Sequence, residues 1–207
     1  MMINAFGNYS KTTSENGVTT NQLSTRTKSL NAGTSVGYFF ADQFIAGVGL
    51  EYVHGKEDRF NSVFINNFIQ AEEMNIKSSG LLPHAYLGYY LPVVPKLYFN
   101  SCIKISYGQL KSDYKTSYYG RELSTDGSIL LPGTGSPYSR GAESNMKSDY
   151  FETLITPELS YLFARNFSVY LGCGGISYSM YDWKTDNSSW LISFNPNYWK
   201  LGIKIHL

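Results

Sequence analysis

Six charged residues sit singly on the polar side of alternating runs: Glu51, Lys104, Glu152, Glu158, Lys200 and Lys204. Three acids and three bases held away from water would have to pair and hydrogen-bond one another, because a lone charge there is costly. That is the chemistry of a polar core, or of a narrow ion path gated by the same groups. The chain has only 3 histidines. His54 lies near Glu57 and Ser62, the residue types of a Ser-His-acid hydrolase, but no active-site motif surrounds it. His84 and Tyr86 fall on the polar side beside the six charges, and His206 at the far end of the last run. There is no metal-ligand spacing and no phosphate-binding loop. The expectation is therefore no catalytic residue, no metal and no cofactor.

Alternation of this kind belongs to strands. The last ten residues, YWKLGIKIHL, place Trp199, Leu201, Ile203, Ile205 and Leu207 on one face and Lys200, Gly202, Lys204 and His206 on the other. Short turn signals at 41–43, 92–96 and 164–166 join runs 30–40 with 44–53, 81–91 with 97–110, and 151–163 with 167–180. A strand near 3–11 and the closing strand after Ser188 bring the count to eight. The seventh run changes parity across Gly172-Cys173-Gly174-Gly175, which predicts a bulge or glycine kink. The remaining connections read as polar loops at 12–25, 55–77 and 111–147, with a tight one at 185–188. Short turns at one end and long loops at the other form the asymmetry of bacterial outer-membrane barrels.

Composition agrees. Only 16% of residues are charged, 16% are aromatic with 18 Tyr and 12 Phe, and Gly is high at 19, as suits short turns and one apolar face per strand. No apolar run reaches the 18 residues of a spanning helix, whereas a spanning strand needs only about 9 to 11. A net charge of +1 gives no electrostatic reason to expect nucleic acid. The start, MMINAFGNYSKTT, lacks the basic and apolar regions of a secretory signal, which predicts a mature exported form. Cys102 and Cys173 fall on different strands with opposite facing and read as free thiols.

Two architectures share this pattern. A lipocalin-like soluble barrel buries its apolar face, and a membrane barrel turns that face to lipid. Tyr38, Phe40, Phe44, Phe99, Tyr161 and Phe163 cluster beside the short turns, while Tyr52, Tyr107, Tyr178 and Trp199 lie about one apolar band away. Two such belts favour the membrane, because amphipathic rings sit at headgroup level. The expected fold is thus all-β, an eight-stranded antiparallel up-and-down transmembrane barrel over residues 1–207, with a polar, filled lumen.

The segments SVGYFFADQFIAGVGLEY, LLPHAYLGYYL, ITPELSYLF and LGIKIHL resemble the small outer-membrane proteins of the OmpX and OmpA-barrel type. That resemblance implies the outer membrane of a Gram-negative bacterium, with membrane lipids, lipopolysaccharide and the barrel-assembly machinery as partners. The family usually ends in Phe or Trp, and this chain ends in Leu207. Some small outer-membrane barrels are lipid A-modifying hydrolases, and His54 is the one residue here placed for that chemistry. Tyr114, Tyr118, Tyr119 and Tyr138, set among Ser, Gly, Thr and Pro, read as an adaptable recognition loop for a surface protein or glycan. The expected role is structural or adhesive without catalysis, the alternatives being a narrow channel, a lipid A enzyme and a soluble ligand-binding barrel.

Overall fold

The computed structural model describes residues 1–18, 21–65, 68–122, 138–182 and 187–207. The chain is almost entirely antiparallel sheet. Its strands are β1 (Met2–Val18), β2 (Asn21–Ala41), β3 (Phe44–Ile65), β4 (Phe68–Val94), β5 (Leu97–Glu122), β6 (Tyr138–Ala164), β7 (Phe167–Cys173), β8 (Gly175–Tyr181), β9 (Asn187–Ser193) and β10 (Trp199–His206). Neighbours pair in hairpin order from β1 to β7, β7 pairs with β10, and β10 returns to β1 through Met2↔His206 to Gly7↔Leu201. Those eight strands form a closed ring. β8 and β9 stand on its upper side as continuations of the seventh and eighth strands, β8 pairing with β6 and β9 with β8.

The hairpins turn on Asp42-Gln43, Pro95-Lys96 and Arg165-Asn166. Pro95 presets its own φ and Lys96 takes φ 71°, a left-handed conformation usual at the third position of a type II turn. All three turns lie at one end, and each is preceded by a one-residue register shift, at Phe39/Ala41, Pro92/Val94 and Leu162/Ala164.

Exposure runs opposite to that of a water-soluble protein. On β3, Phe44, Val48, Leu50 and Tyr52 face outward and are exposed, Val48 by 60%, while Ile45 and Glu51 face inward and are 1% and 2% exposed. On β10 the outward Leu201 and Ile203 are exposed and the inward Lys204 is 2% exposed. Tyr38, Phe40, Phe44, Phe99, Tyr161, Phe163 and Trp199 all lie on the exposed outer face. An apolar outer band flanked by rings around a polar interior is the surface a bilayer requires. The chain is a membrane β-barrel.

The expected kink is a break. Gly174 takes φ 73° and Gly175 φ 148°, and β7 ends where β8 begins. A Cβ on Gly174 would overlap the carbonyl oxygen of Ser193. Left-handed backbone costs a non-glycine residue roughly 1–2 kcal/mol, so Gly174→Ala is expected to lower stability by about 2 kcal/mol. Urea unfolding of the variant in detergent, followed by tryptophan emission, checks this.

The three long connections differ most from the sequence expectation. β1 and β2 continue to Val18 and from Asn21, β3 and β4 to Ile65 and from Phe68, and β5 and β6 to Glu122 and from Tyr138. Most of 12–25, 55–77 and 111–147 is strand. Tyr114 and Tyr118 therefore lie on β5 and not on a loop. Tyr119 and Tyr138 occupy the ends of paired strands, opposite Ser139 and Gly120, and their side chains lie outside the described residues. So do residues 123–137, with Leu130 and Leu131, and residues 185–186 of the expected 185–188 turn, whose other two residues begin β9. The physical reason is that 12–25 and 111–147 are mostly polar, and the apolar residues of 55–77 come in clusters such as Val63-Phe64-Ile65 and Phe68-Ile69, so no sustained apolar alternation marks these stretches. Backbone pairing simply propagates outward from each hairpin.

At about 3.4 Å per residue, the 27 residues of β4 extend far beyond the roughly 10 that cross a bilayer. The upper parts of β1 to β6 stand above the barrel as a six-stranded sheet. Its surface carries ion pairs such as Lys115–Glu143 at 2.6 Å, whose hydrogen bond and charge hold the Lys115 ammonium above its ordinary range. Among the described residues β6 has no partner beyond Tyr150↔Tyr181 on its β8 side apart from Asp182 N–H donating to Asp149 O, and β1 none beyond Gly7↔Leu201 on its β10 side. Among the described residues both sheet edges are open.

Candidate functional site

The lumen is filled by side chains that the ring forces together. Inward positions alternate with lipid-facing ones, so each strand delivers one polar residue every second position. Lys104 on β5 reaches Glu51 on β3 at 2.5 Å and Glu152 on β6 at 3.3 Å. Lys200 on β10 stands 3.9 Å from Glu51. These four charges cross the lumen at one level. Toward the short turns, Lys204 pairs with Glu158 at 2.7 Å, its ammonium lying 4.3 Å from the ring centre of Tyr170 and 5.0 Å from that of Tyr90. Opposite charges and π faces together replace the water each ion has lost.

All six charged residues read from the alternation face inward and meet. His84 is buried between them and the ring of Phe6, with centroids 6.3 Å apart. His206 lies near the short-turn mouth, its Nε2 3.1 Å from Ser168 Oγ and its ring stacked against Phe39. Between the two ionic levels remains a cavity of about 60 Å³, room for a few waters. Above the upper level a vestibule of about 200 Å³ is lined by Asn8, Ser10, Asn31, Tyr150, Ser177 and Lys200. Lys104 and its partners lie between the two spaces, whose walls share Leu154, Thr156 and Lys200, so bonded charge crosses the lumen there.

Sequence reasoning placed Tyr86 in this interior but missed Tyr90 and Tyr170, which complete it. Tyr86 packs over Gly47, and Tyr170 over Gly202, where added Cβ atoms would strike the rings. Tyr90 and Tyr170 flank Lys204. The signal was present in parity: Tyr90 shares a face with His84 and Tyr86, and Tyr170 with Ser168 and Gly172. Large rings set opposite glycines fit a narrow lumen without distorting the ring of strands.

His54 takes part in none of this. It stands on β3's outward face, stacked on Tyr52 with centroids 6.5 Å apart and planes 5° from parallel. Ser62 is eight positions further along the same strand, about 26 Å away at a strand's rise, and Glu57 is on the opposite face paired with Arg59. The hydrolase constellation is not assembled. Cys102 and Cys173 are free, and among the described residues no group of His, Cys, Asp and Glu is placed to hold a metal ion.

The vestibule has an asymmetric wall. From Asn8 upward, β1 faces β9 without backbone pairing among the described residues. The chain bends between them through the 3-10 turn Pro196–Tyr198, held by Trp199 Nε1 donating to Phe194 O at 3.1 Å. Asn8 Nδ2 donates to Trp199 O at 2.7 Å at the foot of the gap. Trp190 on β9 packs against Tyr178 with centroids 4.9 Å apart, which sets this gap at the level of the upper aromatic belt. Open backbone edges are tolerable there because water reaches them.

No protein-family model matches the chain, and no curated protein matches it. Among solved structures, it overlaps the RagAB peptide transporter at TM-score 0.38 and 11% identity, over 83% of this chain but only 19% of that one. It overlaps the KdgM porin at TM-score 0.26 and 11% identity over 100% and 99% of the two chains. The β domain of the Bordetella autotransporter BrkA gives TM-score 0.31 and 9% identity over 98% and 97%. Likeness this loose carries no argument; the barrel rests on strand register and on which face is apolar.

Proposed function

We propose that this chain is an outer-membrane barrel of a Gram-negative bacterium, of the small OmpX and OmpA-barrel kind, with a structural and surface-recognition role and no catalysis. The observation that carries this reading is the six-stranded sheet above the barrel, largely polar and, among the described residues, open at both edges. Open edges add a partner's strand through main-chain hydrogen bonds, and Tyr-rich polar surfaces adapt to proteins and glycans. Lipopolysaccharide and the barrel-assembly machinery are its proposed resident partners, and a surface protein or glycan its proposed ligand. A porin-like role is disfavoured by the two ionic levels across the lumen.

The test is a truncated variant in which residues 57–76 are replaced by an Asn-Gly turn, closing the second outer hairpin between Lys56 and Lys77, which already face each other. Proteoliposomes of the full chain are expected to bind members of a panel of immobilised matrix proteins and glycans. Truncated ones should lose at least tenfold in binding while keeping a heat-modifiable folded band on gels. Equal binding by both forms, or none by the full chain, would overturn the reading.

A further inference from the structure

The strand register lines up four lysines. Lys11 on β1 is directly opposite Lys28 on β2, Lys28 opposite Lys56 on β3, and Lys56 opposite Lys77 on β4. Directly opposed residues share a face with Cβ atoms about 5 Å apart, and like charges so placed repel. Alternation puts all four on the outward face, since their inward neighbours are Ser10, Ser29, Gly55 with Glu57, and Ser78. Asp58 lies 3.0 Å from Lys56, and the row ends at Asp113 on β5, directly opposite Lys77.

Their height gives the row its meaning. Two residues below it on the same face run Tyr9, Leu30 and His54, and two below those Ala32, Tyr52 and Leu81, with Tyr9, Leu30, Tyr52 and Leu81 all exposed. The lysines thus stand one step above the outer aromatic belt, at the depth where lipid phosphates lie against a barrel wall. Asp58 and Asp113 offset two of the four charges, while Lys11 and Lys28 have no acid directly opposite, so the row keeps a net positive charge that an anion spanning it would neutralise.

We propose that the Lys11-Lys28-Lys56-Lys77 row is a binding site for a lipid headgroup bearing more than one phosphate, held in the outer leaflet with its chains against the apolar wall. The source is the membrane and not free polyanion, because the row continues directly into the lipid-facing band. The proposal rests on the outward face meeting a bilayer.

Native mass spectrometry of the detergent-solubilised chain with diphosphoryl lipid A, its monophosphoryl form, phosphatidylcholine and free tripolyphosphate tests it. The diphosphoryl lipid is expected to bind tightest and to lose affinity with added salt. Lys28→Gln, at the centre of the row, should weaken it about fivefold, and Lys28→Gln with Lys77→Gln about twentyfold. In the absence of anionic lipid, Lys28→Gln should unfold at the same or slightly higher urea concentration than the parent, because a repulsion has been removed. Equal retention of phosphatidylcholine, no effect of either substitution, or full displacement by equimolar tripolyphosphate would each overturn the proposal. If instead neither lipid is retained at all, the membrane reading of the outer face fails with it.

Discussion

Lys104→Met is expected to lower the barrel's stability by about 3–5 kcal/mol, the usual cost of removing one partner from a buried ionic cluster. The side chain is close in length, so the loss is electrostatic more than steric. Lys104 is shared by Glu51 at 2.5 Å and Glu152 at 3.3 Å, and Glu51 keeps only Lys200 at 3.9 Å as an alternative cation. Without Lys104 two carboxylates remain in a narrow space with one ammonium. Pairing the change with Glu51→Gln leaves Glu152 and Lys200 as a balanced pair, so the double variant should recover roughly 1–3 kcal/mol of the loss. Urea unfolding of refolded protein in detergent, read by tryptophan emission, checks both values. Additive losses would mean that Lys104 and Glu51 do not interact.

An arginine on the outer wall should be almost as damaging, but only within the apolar band. Val48 is 60% exposed, midway along β3 between Phe44 and Tyr52, with Val36 and Ala85 beside it. Val48→Arg places a charge near the middle of the hydrocarbon and is expected to cost about 2–4 kcal/mol in phospholipid vesicles. Phe60 occupies the same face of β3 eight residues above Tyr52 and is also exposed. Phe60→Arg should change stability by less than about 0.5 kcal/mol, as for an ordinary surface position. Reversible unfolding of both variants from vesicles measures the contrast. Equal effects at the two positions would mean that the band between the aromatic belts does not contact lipid.

How much of this was legible in the chain follows from where contrast exists. Glu51, Lys104, Glu158 and Lys204 each interrupt an apolar alternation, so their shared inward face could be read from period alone. Their partners could not. That Lys104 meets Glu152 and that Lys204 meets Glu158 depends on strand stagger around the ring, which no single strand encodes. The stretch Ser112-Asp113-Tyr114-Lys115-Thr116-Ser117 offers neither an apolar face nor a turn signal, and it reads as loop although it is strand. The parting of β9 from β1 had only Asn195-Pro196 to announce it, a dipeptide that marks turns anywhere. The lysine row was equally hidden, since its four members are 17, 28 and 21 positions apart in the chain.

One pairing in the ring differs in kind from the rest. Adjacent hairpins can form as soon as their two strands exist, but Met2↔His206 joins positions separated by nearly the whole chain. Its loop-closure entropy falls due only when every other strand is in place, so joining β1 to β10 is the natural last step of folding. Until then the molecule is a curved open sheet with two bare edges, and hydrocarbon cannot satisfy the backbone groups along them. Such a sheet has no stable residence inside a bilayer. Closure and insertion are therefore one event, and a defect along Met2 to Gly7 is felt as failed assembly and not as a leaky, half-open barrel.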